Sequence, residues 1–121
     1  MTTTRSKKLA AVIAAVRQAA EEHPNRVYTP GEGVQWGACQ YRPTKGNPSG
    51  CIIGKAMRDT GHSVDHVRAG SALSVVPAAL SIDPERHDDS LQWLESVQAR
   101  QDDGETWSRA VEYADKWEEA R

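Results

Sequence analysis

Cys39, Cys51, His62 and His66 are the residues whose types could do chemistry together, as ligands of a metal ion or, for the cysteines, as nucleophiles or a disulfide. His62 and His66 stand four apart and would share one face of a helix. Eleven residues separate the cysteines, however, where a zinc knuckle places two to four. The finger pattern therefore fails at its first half, and only folding could assemble a metal site from these four. A disulfide across the same interval would be worth about 3 kcal/mol in the loop-entropy model. A reducing cytosol argues against that bond, so the plainest expectation is two buried thiols acting as small hydrophobes. Cys51 at a helix start could have a lowered thiol pKa and be reactive, but no histidine adjoins it in sequence.

No other catalytic pattern stands out. The chain has no G-x-S-x-G elbow, no Gly-rich phosphate loop and no H-E-x-x-H, so neither a catalytic residue nor a cofactor is expected. The loop Lys45-Gly46-Asn47-Pro48-Ser49-Gly50 leads into a helical segment and could cradle an anion there, but it lacks P-loop spacing and reads first as a turn. Basic residues with interleaved aromatics offer a second kind of site. Trp36, Tyr41, Arg42, Lys45, Lys55 and Arg58 are the candidate binding residues, able to stack on bases or to meet a partner protein.

Charge weighs on that choice. Residues 1–60 carry nine Lys/Arg against four Asp/Glu, a balance of +5, whereas residues 61–121 carry six against thirteen, a balance of −7. The basic half suits nucleic acid and the acidic half suits a basic partner, but two halves that complement each other explain the split as well. A pI near 6.1 is far from that of a dedicated DNA-binding domain. Ten arginines against five lysines, with abundant alanine, suggest a GC-rich genome. The N-terminus has no apolar signal core and no run approaches a membrane span, so a cytoplasmic protein without membrane association is expected.

These residues must be held by a scaffold that the remaining pattern outlines. A chain of 121 residues suits one domain, 1–121, with 1–5 as a flexible lead. The spacing of Leu9, Val12, Ile13, Val16, Ala19 and Ala20 predicts a helix over 5–22, capped by Thr4 or Ser6 and ended by Pro24. From 27 to 42, short β-prone pieces broken by glycine and proline predict a small hairpin lying on helices. Residues 51–60 predict a short helix capped by Ser49, with Cys51, Ile52, Ala56 and Met57 inward and Gly61 left-handed at its end. Gly54 within that helix implies a close neighbour, with Trp36 or Tyr41 the candidates.

Over 63–80 the pattern predicts two short helical turns parted near Ala69-Gly70, with Pro77 interrupting the second. Asp83-Pro84 marks a helix start, there or later at Asp89, running to Gln101. Glu105–Ala120 makes the last helix, its stripe of Trp107, Ala110, Val111, Ala114 and Trp117 meeting Leu91, Leu94 and Val97 in an antiparallel helical hairpin. With no phenylalanine in the chain, Trp36, Trp93, Trp107 and Trp117 are the first core candidates.

Three stretches carry a resemblance: Trp36-Gly37-x-Cys39-x-Tyr41, Gly50-Cys51-Ile52-Ile53-Gly54-x-Ala56, and Val97-Gln98-x-x-Gln101-Asp102-x-Gly104-x-x-Trp107-x-x-Ala110-Val111. Over about residues 25 to 115 the chain resembles small uncharacterised proteins of actinobacteria and of the phages that infect them. The resemblance implies a setting and no mechanism.

The expectation is therefore an α+β domain, mostly helical, with a small β-hairpin and a C-terminal helical hairpin. Its expected role is that of a non-enzymatic accessory protein, of phage derivation in one version, that binds another macromolecule, a protein first. A nucleic-acid-associated factor using the basic half is the alternative, and a small metal-binding or cysteine-dependent enzyme a third.

Overall fold

Apolar periodicity, proline and glycine set the helix ends of this chain. A computed structural model of the protein describes residues 6–28, 41, 50–64 and 70–120. The first helix, α1, spans Lys7–Glu22, with the Ser6 hydroxyl accepting the Leu9 N–H at 3.5 Å. Its buried residues are Leu9, Val12, Ile13, Val16, Ala19 and Ala20, the stripe that the 3.6-residue period predicts. The helix stops at His23, whose N–H still reaches the Ala19 carbonyl. Pro24, next in line, disfavours helical backbone at the residue before it.

The second helix, α2, covers Ile52–Asp59 and is almost wholly interior, burying Ile52, Ile53, Gly54, Ala56 and Met57. Gly61 takes φ +89° just beyond its end, a left-handed conformation open to glycine without a Cβ penalty. The cap at its start is Cys51, whose sulfur accepts the Gly54 N–H at 3.4 Å. The predicted cap, Ser49, lies outside the described residues.

Helix α3 spans Ala72–Leu80 and runs through Pro77 without a break. An interruption at Pro77 was expected here, and the reason for the difference is packing. Pro77 removes one N–H and crowds the carbonyl four residues back, but its own ring is buried with Ala72, Val76 and Leu80. The Ser71 hydroxyl also caps the helix by accepting the Leu73 N–H at 3.1 Å. Of the earlier turn predicted at 63–69, residues 65–69 lie outside the described residues.

Pro84–His87 form a single 3-10 turn opened by Asp83, which accepts the Glu85 N–H at 3.0 Å. Helix α4 then spans Asp88–Asp102 and helix α5 spans Trp107–Glu119, with Gly104 at φ +97° in the link between them. Helix α5 folds back on α4, since Trp93 near the start of α4 meets Asp115 near the end of α5. Leu91, Leu94 and Val97 of α4 and Trp107, Ala110, Val111 and Ala114 of α5 all belong to one buried core with α1, α2 and α3. Of the tryptophans, Trp93 and Trp107 are fully buried, Trp117 is half-buried, and Trp36 lies outside the described residues.

The α+β expectation is corrected to an all-helical fold, because no strand or sheet occurs among the described residues. Of the expected hairpin, 29–40 and 42 lie outside those residues. Val27 instead makes an isolated antiparallel bridge to Thr106, and the backbone carbonyls of Pro24 and Arg26 accept the N–H groups of Ser108 and Trp107. The segment just before and at Val27 thus serves to close the first turn of α5, with the acceptors supplied by Pro24 and Arg26. Such a turn has N–H groups without intrahelical partners, and the carbonyls of Pro24 and Arg26 reach two of them.

Candidate functional site

Among the described residues, polar side chains converge where α4 faces the starts of α2 and α3. Along α4, Leu94, Val97, Gln98 and Gln101 keep the i, i+3, i+4, i+7 spacing of one face, so the apolar stripe passes into two amides. Both are buried, Gln98 at 4% and Gln101 at 0% exposure. A buried amide must find partners or bear a desolvation cost. Gln101 accepts the Ile52 N–H at 2.7 Å through Oε1 and donates through Nε2 to the Asp102 carboxylate at 2.9 Å. Gln98 donates through Nε2 to the Gly70 carbonyl at 2.6 Å and accepts the Tyr41 hydroxyl at 2.9 Å. One turn earlier, Glu95 accepts the Ser71 hydroxyl at 2.5 Å and the Leu73 N–H at 3.4 Å. Helix α4 therefore ties down the N-terminal ends of two other helices through its side chains.

Tyr41 is held at both ends of this seam. Its hydroxyl lies 2.8 Å from the Gly70 carbonyl as well as against Gln98, and its own carbonyl accepts Arg58 Nη1 at 2.5 Å. A Cβ added at Gly54 would stand 2.6 Å from Tyr41 Cα and closer still to the Tyr41 carbonyl oxygen, so the chain passes over α2 where only glycine fits. Tyr41 is thus the close neighbour that Gly54 implied. Burial, with the charges of Glu95 and Asp102, pushes the Tyr41 phenol well above its ordinary value, so it stays protonated.

Asp102 ends the row. Burial raises its carboxyl from the ordinary value to about 7, and the charges of Glu95 and Asp103 add to the shift while the Gln101 hydrogen bond opposes it. A carboxyl of that kind exchanges protons near neutrality. The contacts of the row, however, run to helix ends and to backbone groups. Among the described residues, depressions of about 200, 380 and 490 Å³ open on the surface, and none of these is lined by Tyr41, Glu95, Gln98, Gln101 or Asp102.

The structure places the sequence-derived candidates as follows. Tyr41 and Arg58 meet directly, and Lys55, one turn before Arg58, pairs with Asp59 at 2.6 Å. Trp36, Arg42 and Lys45 lie outside the described residues. Among the metal-type residues, Cys51 is disulfide-bonded, which corrects the free-thiol expectation for it. The chain's one other cysteine is Cys39, outside the described residues together with His66. No group of three or more His, Cys, Asp or Glu residues placed to hold a metal ion occurs among the described residues.

Glu95, Gln98 and Gln101 were absent from the sequence candidates, although a signal existed. Two amides continuing an apolar stripe can only be reconciled with burial by assigning them partners. Arg100 and Tyr113, whose guanidinium and ring stack at 3.5 Å on the surface, left no such signal.

The chain matches no protein-family model, no curated protein and no solved structure in these comparisons.

Proposed function

We propose that this chain is a non-enzymatic accessory protein that acts by binding a protein partner. The supporting observation is the use made of its interior polar groups. Glu95, Gln98, Gln101 and Tyr41 are engaged with helix ends and backbone carbonyls of neighbouring elements, as structural ties are. Function then falls to the surface. The basic residues of the first half that are described tend to be engaged as well: Arg17 binds Asp115, Lys55 binds Asp59, and Arg58 binds the Tyr41 carbonyl. That favours the protein-binding reading over a nucleic-acid one.

The setting proposed is that of the resembled proteins of actinobacteria and their phages, in the cytoplasm. No helix among the described residues is long and apolar enough to cross a membrane. The cytoplasmic placement and the disulfide at Cys51 pull in opposite directions, because disulfides are rare in a reducing cytosol. Thiol trapping of Cys51 in intact cells decides between them: a reduced thiol keeps the cytoplasmic placement, and an oxidised one rejects it.

The test of function is affinity capture of the tagged protein from an actinobacterial lysate, with and without nuclease. A protein retained through nuclease treatment is the expected result. Captured material that disappears with nuclease, and binding that weakens steeply with salt, would replace this reading with nucleic acid.

A further inference from the structure

A pocket of about 200 Å³ opens on the surface of the α4–α5 hairpin, lined by Arg100, Glu105, Arg109, Glu112, Tyr113 and Lys116. Tyr113 is 46% exposed, one of the few large apolar side chains left on the described surface. The Arg100 guanidinium lies over its ring, 3.5 Å from the centroid. Arg109 and Lys116 are paired one helical turn away with Glu105 at 3.6 Å and Glu112 at 3.1 Å. No carboxylate among the described residues pairs with Arg100.

We propose that this pocket docks an acidic segment of a partner protein, with one carboxylate received by the Arg100 guanidinium and an apolar neighbour lying on Tyr113. The proposal deepens the protein-binding reading and rests on it.

Three features support it. A cation in the last turn suits the C-terminal dipole of α4, but that role does not require the guanidinium plane to rest on an exposed tyrosine. Contact with the ring restrains the guanidinium, and no described carboxylate takes its N–H fork, a donor set that carboxylates meet with paired hydrogen bonds. Charge then selects the occupant. Three cations and two anions line the pocket, a balance of +1 on a chain of net charge −2. A single carboxylate is attracted, whereas a nucleic-acid backbone, with a charge about every 1.7 Å along a duplex, would meet Glu105 and Glu112 as well. Tyrosine and arginine are also the side chains on which protein interfaces concentrate binding energy.

The test is an NMR titration of the intact protein, reading the Arg100 side-chain N–H and the Tyr113 ring. The probes are the acetylated, amidated peptide Ala-Ala-Leu-Glu-Ala, its glutamine counterpart Ala-Ala-Leu-Gln-Ala, and a short oligothymidylate. Saturable shifts at Arg100 and Tyr113 with the glutamate peptide alone are expected, in the millimolar range of a small contact. Arg100→Gln should weaken that binding about tenfold or more, since it removes a charge-assisted bond. Tyr113→Ser should weaken it less. Both positions are at the surface, and an unchanged melting curve confirms that each variant is folded. Equal shifts with the glutamine peptide, no shifts, or undiminished binding by Arg100→Gln would overturn the proposal. So would tighter binding of oligothymidylate at these residues. The titration contains no lysate, so its result is independent of whether capture succeeds. A captured partner held equally by wild type and Arg100→Gln would leave the protein-binding reading standing and overturn this site.

Discussion

Asp102 and Asp115 carry the same carboxylate into two opposite surroundings. Asp115, on α5, accepts three hydrogen bonds: two from the Arg17 guanidinium of α1 at 2.8 and 2.9 Å, and one from the Trp93 indole N–H of α4 at 2.9 Å. Its pKa is lowered, chiefly by the Arg17 hydrogen bonds. Asp102, in the seam of α4 with α2, has one donor, Gln101, and the acidic neighbours Glu95 and Asp103, and its pKa is raised to about 7. The first region joins helices across an open surface, with side-chain exposures of 45% for Arg17 and 36% for Asp115. The second joins them in the interior. Similar hydrogen-bond lengths therefore carry different weight, because water competes more for the exposed Arg17–Asp115 pair than for the half-buried Asp102 and the buried amides beside it.

The contrast can be tested first at the tightest point of the seam. Gly54→Ala drives a Cβ into the Tyr41 backbone, which no rotamer change relieves. The expected loss is about 3 kcal/mol, at the upper end for overpacking, read as a fall in the urea midpoint. No loss, or the gain of about 1 kcal/mol that helix propensity alone predicts for Gly→Ala, would show that Tyr41 is not seated there.

Next is Gln101→Ala, which leaves the Ile52 N–H of α2 buried without its acceptor and opens a small cavity. The expected cost is about 2 kcal/mol from the orphaned donor. Hydrogen exchange at the start of α2 should accelerate, a local readout that distinguishes the lost tie from general loosening.

The two aspartates then predict opposite responses to pH. Asp102 has a raised folded-state pKa, so its stabilising contribution is complete below the unfolded value near 3.8 and is lost as pH rises through about 7. Asp102→Asn should therefore be more stable than wild type at pH 8, by about 1 kcal/mol after allowance for solvent screening. The difference should shrink below pH 7 and vanish toward the unfolded value. Asp115 has a lowered pKa, so its contribution is present above about 3.8 and is lost as pH falls through its folded value. Chemical denaturation across pH with both Asp→Asn variants checks the signs, and parallel profiles would abolish the distinction.

Smallest is Arg17→Ala. It removes an exposed bidentate pair and the stacking of Arg17 on Trp93, 4.7 Å from the ring centroid. The expected cost is about 0.5–1 kcal/mol and should diminish in high salt. A cost equal to that of Gln101→Ala would mean that exposure does not separate the two regions.

How much of this was legible depends on the distance over which each feature is encoded. Helix α1 could be read residue by residue, because six apolar positions at helical spacing have one good solution, burial on one side. The left-handed Gly61 and the close approach at Gly54 were legible for the same kind of reason: a glycine in a costly place reports a backbone constraint. The β-hairpin reading erred where it can be checked because Val27-Tyr28 has strand-like composition, yet Val27 bridges to Thr106 at the start of α5, beside the carbonyls of Pro24 and Arg26 that close its first turn. Beta propensity reports fit to a half-buried surface, and the surface can be a helix end. Pro77 misled in the opposite sense, since its local cost was outweighed by the burial around it.

Local patterning alone settled the positions of α1, α2 and α5 and the side each turns to the core, because those follow from periods of a few residues. Which polar groups became structural ties was decided only in three dimensions. Gln98 meets Tyr41 across 57 positions of sequence and Gln101 meets Ile52 across 49, pairings that no local period encodes. The same holds for Asp102 and Asp115, chemically identical as residues. A carboxylate's charge state depends on desolvation and on neighbouring charges, and both arise only when distant segments pack together.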